Sequence, residues 1–345
     1  MAIQESDSFA GGLGIDSQPV KSYLSTGCTI LDLAIADRLP GGFAAGRISH
    51  IYGPESSAKS VILQEPLGAA QRAGGFAQLI DQEGTFDFGR AGLFGVDVRS
   101  LFYENQPIPE VAKIYDAITI EYLFDYAFQK AIERASDLGK PCALGIDSLS
   151  SIPAMKEVES SLGDASYGTS RPIKLSAGFR KLIGSLHGDL ALLFVDQTRM
   201  NIGMGTKYTV SGGEALKFYA STRVLLEKKK DIENKNKKII GVEVHFKVTK
   251  NKIAPPFRSG DFSLIFDYGI DNIRTNIQWL KDNTGGDSTK KSAWFTIPGA
   301  DKKFNSMEEA IEFIEENQLE SVLEQEVYNV WKTVYSTVPR KVKER

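Results

Sequence analysis

Residues 53–60 read GPESSAKS, one residue short of the phosphate-binding pattern G-x-x-x-x-G-K-[ST]. In such a loop, successive backbone N–H groups and the start of a helix cradle phosphate oxygens. Gly53, Pro54, Glu55, Ser56, Ser57 and Ala58 would form the cradle. Lys59 would reach the outer phosphates, and the Ser60 hydroxyl would ligate Mg2+. Ala58 stands where the pattern has its second glycine. A residue entering a helix has φ below zero, which alanine tolerates as well as glycine. Retuned nucleotide binding is therefore expected, not its loss. Asp147 closes the apolar run PCALGID. A carboxylate at the C-terminal edge of a strand in an α/β sheet points into the ligand crevice, where it would hold Mg2+ directly or through water. Lys250 and Lys252 are two apart in TKNK, so on a strand they share a face.

These side chains need elements to hold them. The segments RISHIYG, FAQLID, PCALGIDS and GDLALLFVDQ are continuous apolar runs. Between the second and third lies YLFDYAFQKAIERASDLG, which has helical periodicity. Buried strands separated by helices predict a mostly parallel sheet covered on both faces, an α/β core. After residue 221 the pattern changes to two strands joined by a lysine-rich turn, then FSLIFDYGID, which predicts an antiparallel extension. Pro66 and Gly68 fall in the helix after the phosphate loop and predict a kink. Ser306 with Glu309 forms a capping box at the start of a late helix. Three parts are expected: an N-terminal arm over 1–23, a core over 24–270, and a small C-terminal lobe with a basic tail over 271–345.

The blocks GRISHIYGPESSAKS, IDQEGTFD, GIDSLSSIP, LLFVDQTRMNIG, SGGEALKFYAS and TKNKIAPPF occur in order. Together they resemble the RecA recombinases of bacteria and their phages, from about residue 24 to residue 270. The resemblance implies a RecA-type ATPase using ATP and Mg2+, assembled head to tail as a helical filament on single-stranded DNA. It would pair that strand with homologous duplex. Glu83 matches the glutamate that orients the attacking water, and Gln197 the γ-phosphate sensor. Asp87 matches an adenine contact, and Arg90 replaces the adenine-stacking tyrosine. Two loops, around 157–172 and 201–213, are the implied DNA contacts, with Tyr167, Arg171, Ser176, Arg180, Arg199, Ile202, Gly212 and Gly213 as candidates. Phe218 matches a subunit-interface residue. Lys250 and Lys252 match a pair that reaches the neighbouring subunit's γ-phosphate. Two other readings remain open: a weakly hydrolysing or inactive paralogue with a regulatory role, and a ring-forming helicase of the same fold. The basic end PRKVKER fits either duplex binding or a solvated terminus.

Bulk composition excludes little but is consistent. The chain has 345 residues, 42% hydrophobic and 25% charged, the profile of a globular protein. Its net charge of −3 gives no global attraction to nucleic acid, so DNA binding must rest on local loops. Cys28 and Cys142 are the two cysteines, far apart and without metal-ligand spacing. Buried thiols in a reducing cytoplasm are expected. No signal-peptide pattern or membrane-length apolar run occurs.

Overall fold

The computed structural model describes residues 19–159, 170–186, 188–200, 208–210, 214–284 and 295–336. A short antiparallel pair, β1 (Tyr23–Leu24) and β2 (Phe43–Ala44), brackets helix α1 (Thr29–Ala36). The alternating core follows: β3 (Ile48–Gly53), α2 (Lys59–Arg72), β4 (Ala77–Asp81) and β5 (Leu101–Glu104). A long helix runs as α3 (Ile120–Tyr122), a π turn and α4 (Phe128–Leu138). It leads to β6 (Cys142–Asp147), α5 (Met155–Glu159), α6 (Ser170–Ser185), β7 (Leu190–Met200), β8 (Tyr208–Val210) and α7 (Glu214–Tyr219).

The chain then turns antiparallel. The hairpin β9 (Thr222–Glu233) and β10 (Ile239–Asn251) is followed by β11 (Ser259–Ile265) and β12 (Gly269–Asp271). The main sheet has the order β12-β11-β10-β9-β3-β7-β6-β4-β5. Strands from β5 to β9 along that order are mutually parallel, and β10 to β12 form the antiparallel extension. The α/β expectation holds, including the switch after residue 221. The edge strand β5 carries no apolar run long enough to mark it in the sequence.

Helices cover both faces. One face buries Leu63 and Leu67 of α2, α1, and the later helices α8 (Asn272–Thr284) and α10 (Glu320–Val334). The other buries α3, α4, α6 and α7 around Phe128, Phe179 and Phe194. Between α8 and α10 lie the short pair β13 (Phe295–Thr296) and β14 (Lys303–Phe304), and α9 (Met307–Glu316). Trp331 of α10 is fully buried, its indole Nε1 donating to Asp37 Oδ1 at 2.9 Å. Arg258 lies beneath it, 5.2 Å from the Trp331 ring and paired with Asp37 at 2.7 Å. The described residues from 271 to 336 thus share their core with the sheet. The cap of α9 is half a capping box: Ser306 Oγ accepts from Glu309 N at 3.4 Å, but the Glu309 carboxylate turns to Lys302.

Helix α2 runs unbroken through Pro66 and Gly68. Gly68 is there for close approach. A Cβ would stand 2.5 Å from the Gly95 carbonyl oxygen, so the loop backbone packs directly on the helix.

Candidate active site

Four strands converge at the C-terminal edge of the parallel sheet. β3 runs into the phosphate loop, and β7 passes beside it with Gln197 registered opposite Gly53. β6 ends in Asp147 and β4 in Asp81, also paired in register. Gly53 must be glycine: a Cβ would meet the Leu226 carbonyl oxygen at 2.1 Å and Ser57 Oγ at 2.8 Å. The loop is tied to itself. Ser57 Oγ donates to the Pro54 carbonyl at 2.7 Å, and Lys59 Nζ to the same oxygen at 2.6 Å.

Ala58 does not follow the sequence reading. Its φ is 65° and ψ 21°, a left-handed conformation, and Ser56 also has a positive φ of 57°. The loop must reverse before α2 begins, and residue 58 takes that turn, not the first helical position. The pattern's second glycine is thus a conformational requirement that this chain meets with a strained alanine. The methyl is half-buried against the main core.

Ser60 Oγ donates to Asp147 Oδ2 at 2.7 Å. A hydroxyl and a carboxylate, both hard oxygen donors, therefore meet where α2 begins. Burial pushes the Asp147 carboxyl up to about 6, helped by the charges of Glu83 and Asp81 and opposed by Ser60 and Lys59. Burial also lowers Lys59, while Asp147, Glu83 and Glu55 act against it. Carboxylates crowded beside one lysine are an environment that a divalent cation would relieve, and the oxygen donor set fits Mg2+.

Glu83 is held from an unexpected side. Ser148 Oγ donates to its Oε1 at 2.6 Å, and Ser151 Oγ to the same oxygen at 3.0 Å. Asp81 shapes the loop that carries Glu83, accepting from Gly84 N and Phe86 N at 2.9 Å each and from the Tyr103 hydroxyl at 3.0 Å. The serine-rich run after Asp147 was the available signal, but only the fold brings it to Glu83.

Farther out, Asp87 Oδ1 accepts from Gly89 N at 2.9 Å and Arg90 N at 3.2 Å, forming a local turn. The Arg90 guanidinium pairs with Asp267 at 3.0 Å on the surface. Phe218 is 72% exposed, a large apolar side chain presented to a partner or to solvent. Lys250 Nζ donates to the carbonyls of Lys217 and Phe218 at 3.0 and 2.6 Å, capping the C-terminus of α7. Lys250 and Lys252 both lie at the end of the hairpin, beyond the strand that borders β3.

Among the DNA candidates, Ser176 and Arg180 lie on α6, Arg180 exposed. Arg171 Nε and Nη2 donate to the carbonyls of Ile152 and Leu149 at 3.1 and 2.7 Å. Its guanidinium therefore braces the turn after β6. Arg199 lies on the backbone of β7, but its side chain is outside the described residues, as are Tyr167, Ile202, Gly212 and Gly213. The N-terminal arm up to residue 18 and the basic end from residue 337 are also outside them.

The chain matches the RecA N-terminal domain family model over residues 12–271. It belongs to the RecA family. Protein RecA of Corynebacterium efficiens is 32% identical over 335 residues, covering 95% of this chain and 81% of that protein. Protein RecA of Picosynechococcus sp. is 32% identical over 308 residues, covering 88% and 82%. That of Synechococcus sp. strain CC9902 is 32% identical over 291 residues, covering 83% and 71%. The family assignment accounts for the sheet with its phosphate loop and antiparallel extension. No helix among the described residues is long and apolar enough to cross a membrane.

Proposed function

We propose that this RecA family member is a DNA-dependent ATPase that assembles on single-stranded DNA and catalyses homologous pairing and strand exchange. The observation that carries the reading is the Ser60–Asp147 contact at 2.7 Å beside Lys59, with Glu83 fixed on the neighbouring strand end. Together they supply what phosphoryl transfer to water needs: a charge clamp, a metal half-site and a carboxylate to orient water. The loop from Gly53 to Ser60 holds the phosphates. Ser60 and Asp147 would hold Mg2+, and a cation bound there would supply charge neutralisation beside the phosphates. Glu83 accepts a hydrogen bond from the attacking water, its own position set by Ser148 and Ser151.

The site of one subunit is incomplete on this reading. Lys250 and Lys252 act on the nucleotide of the adjoining subunit, supplying the cations that the single chain lacks near the γ-phosphate. To do so Lys250 must leave the α7 carbonyls it caps here. Helix α7 directly follows the candidate DNA loop over 201–213, so one short element couples DNA contact to nucleotide contact. Asp87 and Arg90 flank the base, and Gln197 reads the γ-phosphate. Ser176 and Arg180 on α6 would contact the DNA backbone, with Gly212 and Gly213 as further contacts implied by the family resemblance.

The test is phosphate release with and without single-stranded DNA, combined with strand exchange between a circular single strand and a homologous linear duplex. Stimulation by DNA and joint-molecule formation are expected. ATP-dependent unwinding by closed rings in electron micrographs, without strand exchange, would replace this reading with a helicase.

A further inference from the structure

A second polar cluster lies beneath the site, on the sheet face covered by α6 and α7. His50 of β3, Asp196 of β7 and Arg223 of β9 are all buried, at 1%, 0% and 8% exposure. Three charged or titratable side chains in a strand core are costly unless each serves another. Arg223 Nε donates to His50 Nδ1 at 3.1 Å. An arginine can only donate, so Nδ1 must carry the lone pair and the ring proton must be on Nε2. That nitrogen stands 3.1 Å from Asp196 Oδ2, though its N–H points off the line to the oxygen. Asp196 Oδ1 accepts from Ser150 N at 2.9 Å. The Ser150 hydroxyl lies 2.9 Å from Ser148 Oγ, which donates to Glu83.

We infer that Arg223, His50 and Asp196 are positioning residues: a buried relay that sets the serine turn holding Glu83 and ties it to the strand carrying Lys250. This rests on the reading of Glu83 as the water-orienting carboxylate. The geometry of the far end supports the link. Arg223 is registered directly opposite Lys250 across β9 and β10. Its guanidinium also lies 4.4 Å from the centre of the Tyr52 ring, whose hydroxyl meets Thr249 Oγ1 at 2.8 Å. A shift of Lys250 toward a neighbouring subunit therefore pulls on the group that fixes the His50 tautomer. Burial keeps the imidazole below its ordinary pKa, opposed by Asp196 and reinforced by Arg223. The relay is thus a cation, a neutral ring and an anion, with Arg223 donating to the ring and fixing its tautomer, and Ser150 N donating to Asp196 from the far side.

That donor pattern gives the test. Asp196→Asn leaves one oxygen and one NH2 group facing two donors, Ser150 N–H and His50 Nε2–H, so one donor meets a donor in either orientation. His50→Glu alone sets two carboxylates against each other. The double variant His50→Glu/Asp196→Asn restores the pattern: Glu accepts from Arg223 and from the Asn NH2, the Asn oxygen accepts from Ser150 N–H, and net charge is unchanged. We expect each single variant to lower DNA-stimulated kcat at least tenfold, with the Kd of a fluorescent ATP analogue within threefold of wild type. The double variant should recover kcat to within threefold. Should a single variant not fold, the double variant decides alone. A folded, nucleotide-binding double variant with kcat tenfold down overturns the relay, as do single variants with kcat within twofold of wild type. The reading of Glu83 fails separately, if Glu83→Gln turns over ATP at the wild-type rate.

Discussion

Replacing Ala58 by glycine isolates the one residue at which the phosphate loop departs from its pattern. The backbone there has φ 65°. A left-handed conformation costs an L-residue roughly 1–2 kcal/mol, and glycine adopts it freely. Against this stands the lost methyl, half-buried on the core, worth at most about 0.8 kcal/mol. The balance favours Ala58→Gly by roughly 0.2–1.2 kcal/mol in folding stability. Urea denaturation of the free protein reads this as a higher midpoint at unchanged slope. Because the methyl faces the core, nucleotide affinity and DNA-stimulated turnover should stay within about tenfold, or ~1.4 kcal/mol. Destabilisation by more than ~1 kcal/mol would show that residue 58 carries no strain, well outside the usual penalty for the left-handed region. A gain in turnover of several hundredfold would place the methyl against the phosphates and favour a paralogue whose hydrolysis is blocked.

Glu83→Gln should retain binding of a fluorescent ATP analogue and lose phosphate release, whereas Lys59→Ala should lose release because the phosphate charge is left uncompensated. Asp147, pushed up to about 6, must lose its proton to hold the metal. Mg2+-nucleotide affinity should therefore drop between pH 7 and pH 5 by up to about tenfold more than in an Asp147→Asn control, which titration calorimetry can compare. Glu65, buried in α2, has its carboxyl raised from 4.5 to about 8 by burial, with Asp32 adding and Arg72 opposing. A raised acid contributes stability below its unfolded pKa and loses it as pH rises to the folded one. Glu65→Gln should thus match wild type near pH 4 and exceed it by more than ~1 kcal/mol at pH 8 in urea denaturation. Equal stability at both values would contradict the burial of an ionising carboxyl.

The parallel core and its antiparallel extension were legible because apolar runs and punctuation dominate local structure there. The strand–loop–helix setting of residues 53–60 and the strand-end position of Asp147 were legible because apolar runs and the loop pattern are local in sequence. Other features depend on strands meeting across long separations. Nothing near Ala58 announces that its backbone turns left-handed, since that follows from how β3 must reach α2. The clamp on Glu83 comes from serines 65 and 68 positions later. The His50–Arg223 contact spans 173 positions, and each partner taken alone looks like an ordinary strand residue. Arg171 looked like a loop cation free for phosphate, and only the fold turns two of its donor groups to the carbonyls of Leu149 and Ile152. The C-terminal helices read as an appendage because the contact of Trp331 with Asp37 crosses 294 positions.

The central claim is that catalysis is completed between subunits, and mixing two inactive proteins tests it most directly. One carries Glu83→Gln and the other Lys250→Ala with Lys252→Ala, each first shown to bind DNA and to co-assemble. At a mixed interface, the intact Glu83 of the lysine variant meets the intact lysines of the Glu83→Gln subunit. Phosphate release on single-stranded DNA should rise from near zero with either protein alone to a maximum at intermediate ratios. A flat response across all ratios, with co-assembly confirmed, would mean that the lysines do not act across the interface and that each subunit completes its own site.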